Sequence, residues 1–241
     1  MQGRIAFFDS GVGGLALLAE CSGRFPGEKY LYYGDNANAP YGNRGDREIC
    51  ALADRAFAEI ARREIAAAVI ACNTVTAECA GSLRRRYPFP IFGIEPAIRP
   101  AAAAGGKVLV LATRATLRSA RVAALLHENE TRAEIACFCP ARLAEAVEAA
   151  APDLSALRLE EHLPPGRYDG VVLGCTHYAL IGRAIARYYS CPVYDGVAGT
   201  VDHLQKKLNI RSENASKRAK IDVIFAGSGK IRNETVFFGL K

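Results

Sequence analysis

Residues 67–74 read AAVIACNT, and residues 169–177 read DGVVLGCTH. Each stretch is a short apolar run that ends in a cysteine, Cys72 or Cys175, followed by small polar residues. Short apolar runs of this kind are typical of strands buried in a parallel sheet. Both cysteines are therefore predicted at the carboxyl ends of strands, directly before helices, where open α/β sheets bind their ligands.

Strands and helices are predicted to alternate along the rest of the chain. Short apolar runs predict strands at residues 5–8, 31–33, 67–71, 107–112, 171–174 and 222–227. Apolar residues at helical spacing predict helices at residues 47–63, 75–87, 117–126, 141–150 and 181–188. The first of these helices has Asp46 as its predicted N-cap. Such alternation indicates parallel sheets covered by helices on both faces.

The two halves of the chain are organised in the same way. Asp9 ends one apolar run and precedes Cys72 by as many residues as Ala112, which ends another run, precedes Cys175. We therefore predict an α/β fold of two pseudo-symmetric domains, each a mainly parallel sheet flanked by helices, with the active site in the cleft between them. The predicted first domain comprises residues 1–94 and 201–241, and the second comprises residues 95–200.

The composition is typical of a folded globular protein, because 50% of the 241 residues are hydrophobic and 23% are charged. No apolar run approaches the roughly 18 residues that a membrane-spanning helix needs, and Asp9 interrupts the first run before a signal-peptide core can form. We expect a cytoplasmic protein without a membrane partner. The net charge of +6 includes basic clusters at 84–86 and within 206–220, a polar segment predicted to be a connection or a loosely held helix. These clusters lack interleaved aromatic residues, so no nucleic-acid partner is predicted.

The eight cysteines include no Cys-x-x-Cys pair, and a disulfide framework is not expected in a chain of this size, so most are predicted to be buried small hydrophobic residues. Cys72 and Cys175 are predicted to differ. A thiol at a helix N-terminus faces the positive end of the helix dipole, which favours the thiolate. Only His177 of the four histidines adjoins a cysteine, so no metal site is predicted.

Two thiols related by an approximate two-fold axis suit the inversion of a carbon centre. One group must remove a proton from one face while another delivers a proton to the opposite face. None of the eight lysines stands in a marked motif for a Schiff base, so no cofactor is predicted. The protein must then stabilise the carbanion by positioning and electrostatics, in a cleft that closes and excludes water.

Four motifs carry a resemblance to a known family: DSGVGG at 9–14, GD at 34–35 with PYG at 40–42, ACNT at 71–74, and LGCTHY at 173–178. Together they resemble the glutamate racemases of the cofactor-independent aspartate/glutamate racemase superfamily, over about residues 5 to 200. The resemblance implies interconversion of L- and D-glutamate, with D-glutamate supplied for peptidoglycan. Family members pair in different ways, so a homodimer is a further expectation.

The resemblance also implies roles for individual residues. Cys72 acts on the D-enantiomer and Cys175 on the L-enantiomer, assisted by Asp9 and His177 respectively. A further assisting glutamate matches Glu148, with Glu145 as the alternative because this segment is one residue longer than the family pattern. The implied substrate contacts are Asp9, Ser10, Pro40, Tyr41, Gly42, Asn73, Thr74, Thr176 and His177.

Chemistry supports these contacts, because glutamate brings two carboxylates and one ammonium group. Hydroxyl, amide and backbone N–H donors suit the carboxylates, and a carboxylate such as Asp9 or Asp35 suits the ammonium. Thr113 and Thr116 lie in the second domain's counterpart of the Asp9 loop. They are predicted either to donate to the substrate or to cap a helix.

Three other functions fit parts of the sequence. Racemisation of a related acidic amino acid such as aspartate needs the same cysteines. A nicotinamide-dependent oxidoreductase is suggested by GVGGLA at 11–16, with Asp35 about twenty residues further on. In that fingerprint, however, the first glycine directly follows the strand, whereas Asp9 and Ser10 intervene here. A non-enzymatic amino-acid-binding protein with two lobes is disfavoured by the missing signal and by the two cysteines.

Overall fold

A computed structural model describes residues 2–151, 153–210, 219–226 and 231–232. The strands are β1 (Arg4–Asp9), β2 (Lys29–Gly34), β3 (Ile65–Ile70), β4 (Ile91–Gly93), β5 (Lys107–Ala112), β6 (Glu134–Phe138), β7 (Gly170–Gly174), β8 (Val193–Asp195), β9 (Lys220–Phe225) and β10 (Ile231–Arg232). The helices are α1 (Leu15–Arg24), α2 (Asp46–Ala61), α3 (Asn73–Arg86), α4 (Ile98–Ala104), α5 (Arg114–Arg118), α6 (Ala120–His127), α7 (Leu143–Ala150), α8 (Thr176–Leu180), α9 (Gly182–Tyr189) and α10 (Val197–Leu208).

The strands form two separate sheets. The first has the order β10-β9-β2-β1-β3-β4 and the second has the order β6-β5-β7-β8. All pairs are parallel except β9 with β10. Helices cover the sheets, as the predominantly parallel pairing requires. The predicted α/β fold class, with two parallel sheets flanked by helices, is confirmed.

Strand register brings the functional motifs to one edge of each sheet. In the first sheet, Phe8 of β1 pairs with Ile70 of β3, so the residues after both strands emerge together. In the second sheet, Ala112 of β5 pairs with Gly174 of β7. Cys72 and Cys175 therefore both follow central strands at the carboxyl edge of their sheets.

The two faces of the first sheet carry separate apolar cores. On one face, Phe8 packs with the apolar stripe of α2, including an edge-to-face contact with Phe57 at a ring separation of 5.5 Å. On the other face, Leu17 of α1 packs with Val201 and Leu204 of α10. A strand buried on both faces explains why β1 is continuously apolar.

The C-terminal part of the chain returns to the first sheet. Strand β9 lies parallel to β2, with Tyr32 opposite Val223. Helix α10 packs on the same core as α1. The domain boundaries after residues 94 and 200 stay a prediction. Residues 211–218 and Gly227, which fall within the predicted connection and the predicted last strand, lie outside the described residues.

Some local predictions were wrong. The N-cap of α2 is Gly45, not Asp46, which is the first helical residue and lies 3.1 Å from Arg118. An acidic side chain in the first turn still stabilises the helix through its dipole. The helix predicted over 117–126 is two helices, because extended backbone at Ser119 separates α5 from α6, and the Ser119 side chain caps α6.

The cysteines also depart from the expectation that most are buried and unpaired. Cys50 and Cys79 form a disulfide that joins α2 to α3, with a Cα–Cα distance of 5.5 Å. Cys137 is exposed, and Cys139 and Cys191 are half-buried. Among the described residues, no helix has both the length and the apolar character needed to cross a membrane.

Candidate active site

The two candidate catalytic cysteines occupy equivalent positions, as the residues that precede α3 and α8. Both are buried, with only 4% of Cys72 and 7% of Cys175 exposed. Cys72 Sγ lies 3.7 Å from Ser10 Oγ, and Cys175 Sγ lies 3.7 Å from Nδ1 of His177. A negative charge on Cys175 would add to the raising of the Cys72 pKa.

The thiol of Cys72 is protonated at neutral pH, which corrects the expectation that its helix N-terminus favours the thiolate. Burial raises the pKa of Cys72 to about 12, and the negative charge of Asp9 adds to the shift. A hydrogen bond from the Val75 backbone N–H opposes the shift but does not overcome it. Loss of hydration therefore outweighs the helix dipole at this position.

Asp9 is the last residue of β1 and is fully buried. Its carboxylate accepts hydrogen bonds from the Gly11 backbone N–H at 3.1 Å and from the Thr176 hydroxyl at 3.2 Å. Burial raises the pKa of Asp9, although the nearby charge of His177 acts in the opposite direction. Since Thr176 follows β7, the Asp9 carboxylate links the two sheets.

Glu148 on α7 forms an ion pair with His177, with Oε2 2.5 Å from Nε2. Burial disfavours both charges, but the hydrogen bonds of His177 to Cys175 and Glu148 raise its pKa well above the usual value. The same pair lowers the pKa of Glu148 against the opposing effect of burial. Of the two candidate glutamates, Glu148 thus contacts His177, whereas Glu145 accepts a hydrogen bond from Asn43 nearer the surface.

Three threonine hydroxyls form a cluster between the sheets. Thr74 Oγ1 lies 2.9 Å from Thr113 Oγ1 and 3.4 Å from Thr116 Oγ1, and the last two are 2.9 Å apart. Thr113 also accepts a hydrogen bond from the Thr116 backbone N–H and so caps α5. Thr113 therefore both caps α5 and belongs to the cluster of hydroxyl groups.

The segment with Pro40, Tyr41 and Gly42 lies beside this cluster. The Ala39–Pro40 peptide bond is cis, and the Tyr41 hydroxyl donates to Asp35 at 2.5 Å. Gly42 packs so closely on Thr113 that a Cβ atom there would lie 2.5 Å from Thr113 Cγ2. The carboxylate of Asp35 is therefore engaged by Tyr41 and Asn38, just as that of Asp9 is engaged by Gly11 and Thr176.

Asn73 adds a further acceptor to the site. It is the first residue of α3, beside Cys72, and only 4% of it is exposed. Its side-chain Oδ1 is buried and has no hydrogen-bond partner among the described residues. A buried acceptor without a partner is costly unless a ligand or water satisfies it. This atom is suited to accept a hydrogen bond from a substrate ammonium.

Two residues of the site were missed by the sequence analysis. The Tyr32 hydroxyl donates to the Gly11 carbonyl at 2.7 Å and accepts from the Gly14 backbone N–H, so it holds the 11–14 loop. Asn36 donates to Glu148 at 2.6 Å. In the sequence, Tyr32 is only a tyrosine on a predicted buried strand, and Asn36 is only an asparagine directly after the GD motif. Neither pattern indicates a contact with a distant segment.

Comparison with protein families gives one clear match. The model of the Asp/Glu/hydantoin racemase family matches residues 16–204. Glutamate racemase from Clostridium perfringens is 38% identical over 233 residues, covering 91% of this chain and 89% of the relative. Glutamate racemase from Pseudomonas paraeruginosa is 40% identical over 228 residues, covering 89% and 85% of the two chains.

Solved structures agree with the sequence relatives. The Escherichia coli glutamate racemase, solved with L-glutamate and the activator UDP-MurNAc-ala, superposes with a TM-score of 0.79 at 27% identity, over 94% of this chain and 91% of the other. The Campylobacter jejuni glutamate racemase superposes with a TM-score of 0.78 at 27% identity, over 95% and 93%. The family match and these relatives confirm the resemblance, and the chain belongs to the Asp/Glu/hydantoin racemase family.

Proposed function

We propose that this protein interconverts L- and D-glutamate by two-base proton transfer, without an added cofactor. The observation that carries the proposal is the pair of buried cysteines that precede α3 and α8, with the charge of Asp9 acting on Cys72 and with His177 Nδ1 beside Cys175. The relatives named above are glutamate racemases, and the E. coli enzyme was solved with L-glutamate. Aspartate racemisation and nicotinamide chemistry are not favoured by these relatives.

The 11–14 loop also argues against a dinucleotide site. A Cβ atom at Gly13 would lie 2.5 Å from Thr176 Oγ1, and one at Gly11 would lie 2.4 Å from a carboxylate oxygen of Glu148. These glycines therefore accommodate side chains of α7 and α8, the helices beside the second sheet. The close approach occupies the space in which a Rossmann fold receives a pyrophosphate.

In the L-to-D direction, Cys175 removes the α-proton as a thiolate and Cys72 delivers a proton to the opposite face. The raised pKa of Cys72 suits this second step, because the thiol already carries the proton at neutral pH. In the reverse direction the two cysteines exchange roles, and the Cys72 thiol first transfers its proton to the neighbouring Asp9 carboxylate. His177 and Glu148 assist at Cys175, and Asp9 assists at Cys72.

Recognition of glutamate follows from the donors and acceptors around the cysteines. The Thr74, Thr113 and Thr116 hydroxyls supply donors for a carboxylate. The proposed contacts are completed by Ser10, Pro40, Tyr41, Gly42, Thr176 and His177. Asp9 and Asn73 Oδ1 are the proposed acceptors for the ammonium.

The proposed product, D-glutamate, also suggests the biological role and the compartment of the protein. D-Glutamate production for peptidoglycan is typical of this family, and it implies that the protein works in the cytoplasm. Assembly into a homodimer stays a prediction, which light scattering of the purified protein at several concentrations would test. A mass of one chain at all concentrations would contradict it.

Incubation of each glutamate enantiomer with the dialysed protein in deuterated water tests the reaction. Circular dichroism should decay to zero from either enantiomer, and deuterium should enter the α-position of the product. Inversion that required added pyridoxal phosphate or a nicotinamide would overturn the proposal. Inversion of aspartate in preference to glutamate would overturn the substrate.

A further inference from the structure

The carboxylate of Glu148 is held from three sides, and only one of these contacts comes from its own half of the molecule. Oε2 pairs with His177 Nε2 and accepts a hydrogen bond from the Val12 backbone N–H at 3.2 Å. Oε1 accepts a hydrogen bond from Asn36 Nδ2 at 2.6 Å. Asn36 begins a short 3-10 helix, Asn36–Asn38, that follows β2 of the first sheet.

We propose that Asn36 is a positioning residue that fixes Glu148 and, through the Glu148–His177 pair, governs proton transfer at Cys175 but not at Cys72. This inference rests on the proposed function. Asn36 itself contacts neither cysteine in the hydrogen bonds of the described residues. Its influence passes along a chain of contacts from Asn36 to Glu148, His177 and Cys175.

The orientation of the Asn36 amide supports a dedicated contact. Asn36 Oδ1 is buried and has no hydrogen-bond partner among the described residues. The amide is therefore oriented so that its Nδ2 group can donate to Glu148, although its oxygen then has no donor. A short hydrogen bond to an ionised carboxylate is among the stronger kinds in proteins. The amide thus leaves its acceptor unsatisfied while its donor holds Glu148.

Steric contacts restrict Glu148 on the remaining side. The backbone of Gly11 lies against the carboxylate, close enough that a Cβ atom would overlap it. With the Asn36 hydrogen bond in place, both oxygens are fixed relative to His177. Without it, Oε1 loses its only hydrogen bond among the described residues, and the carboxylate can rotate away from Nε2.

The two halves of the site differ in their dependence on this contact. Cys72 is flanked by Ser10, the Val75 N–H and the charge of Asp9, and within the described part of the chain no hydrogen bond joins Asn36 to any of these three groups. Cys175 is flanked by His177, which depends on Glu148. Removing the Asn36 donor should therefore slow one of the two proton transfers selectively.

Primary deuterium isotope effects on kcat/KM separate the two transfers. Cys175 takes the proton from L-glutamate and returns a proton when the substrate is D-glutamate. If the step at Cys175 becomes more rate-limiting, the isotope effect with [2-²H]-L-glutamate rises and that with [2-²H]-D-glutamate falls. A general loss of stability or of domain closure has no reason to change them in opposite directions.

The experiment compares N36L with wild type and with the matched control N43L. Asn43 also links the first domain to α7, because its Nδ2 donates to Glu145 at 3.1 Å, but it does not reach His177. We expect kcat/KM of N36L to fall about tenfold to a hundredfold, the range for a lost hydrogen bond to a charged group. In N36L the isotope effect with [2-²H]-L-glutamate should rise and that with [2-²H]-D-glutamate should fall. In N43L both isotope effects should equal those of the wild type.

A second variant, N36D, keeps the size of the side chain and places a carboxylate against Glu148. The titratable groups that face Glu148 are His177 on α8, Asp9 at the end of β1, and Tyr32 on β2. A neighbouring negative charge raises the pKa of Glu148, so Glu148 takes up a proton at a higher pH. The acidic limb of the pH profile of kcat/KM should therefore move to higher pH in N36D.

The outcomes distinguish this inference from the proposed function. If the wild-type protein racemises glutamate but the two isotope effects of N36L change in the same direction or do not change, the positioning role of Asn36 is overturned and the proposed function stands. If N36L fails to fold, an unchanged acidic limb in N36D overturns it. Wild-type protein that inverts neither enantiomer overturns both proposals.

Discussion

Thr74 and Thr113 place their hydroxyl oxygens 2.9 Å apart, although Thr74 is the second residue of α3, which follows the first sheet's β3, and Thr113 follows β5 of the second sheet. With Thr116 they form a compact group of three buried hydroxyls. Each hydroxyl can rotate its proton away from its neighbours and toward an anion. This group is therefore ready to donate to a substrate carboxylate that enters between the sheets.

Thr113→Val tests this arrangement, because valine keeps the shape of the side chain and removes the donor. We expect KM for glutamate to rise about tenfold, with a smaller change in kcat, since hydrogen bonds to charged groups contribute roughly 1.5–3 kcal/mol. Steady-state kinetics on both enantiomers would measure it. Thr200→Val on α10, whose hydroxyl donates to the Gly196 carbonyl and not to a residue of the site, is the control. An unchanged KM in Thr113→Val would remove this hydroxyl from substrate binding.

Replacing either candidate catalytic cysteine should abolish racemisation. Cys72→Ala and Cys175→Ala each remove one proton carrier, and loss of a general acid or base typically costs about 10² to 10⁴ in rate. Circular dichroism of glutamate over long incubations measures the residual turnover. Cys191→Ala, at a half-buried cysteine of the second domain, should retain wild-type activity. Substantial turnover in either site variant would exclude that residue from the mechanism.

The raised pKa of Cys72 predicts its reactivity. Only the thiolate is alkylated, so a thiol with a pKa of about 12 reacts slowly at neutral pH. Its alkylation rate in the substrate-free protein should rise about tenfold per pH unit from about pH 7 to about pH 10, without levelling off. Iodoacetamide labelling followed by peptide mass spectrometry gives the rate. A plateau below about pH 9 would show that the thiolate forms far more easily than burial allows.

Gly42→Ala tests the close packing beside the hydroxyl cluster. The new methyl group would lie 2.5 Å from Thr113 Cγ2, so Thr113 must move and the cluster must open. We expect KM to rise and the midpoint of thermal unfolding to fall, since overpacking typically costs about 1–3 kcal/mol. Gly23→Ala on α1 has open space around its Cβ position and should instead stabilise the protein by up to about 1 kcal/mol. Equal effects of the two substitutions would contradict the steric argument.

The strands that the sequence predicted well are those with long, uninterrupted apolar runs. Strand β5 was predicted at its observed bounds, because glycines precede its apolar run and a polar threonine follows. Strands β4 and β8 were missed, since three residues after a proline carry no usable periodicity. Edge strand β6 was missed because both its faces are only partly buried.

Site residues that lie within a sequence motif could be predicted. Site residues that reach the site only because the fold brings distant segments together could not. Both cysteines and His177 stand within the motifs. The choice of Glu148 over Glu145 needed the position of α7 relative to α8. Asn36 meets Glu148 across 112 residues, and no local pattern indicates such a contact. At Cys72, the helix dipole pointed to a thiolate, but burial, which depends on the whole fold, has the larger effect.

The pairing of β9 with β2 has a consequence for synthesis of the protein on the ribosome. The four strands that the structure describes in the second sheet all lie between residues 107 and 195, so that sheet can form while the C-terminus is still being translated. Strand β2, by contrast, keeps an open edge until Lys220–Phe225 emerge. An open edge is a template for association with other chains. The first sheet thus begins to be synthesised first but is completed last. Products truncated before β9 should aggregate, because they leave the edge of β2 open.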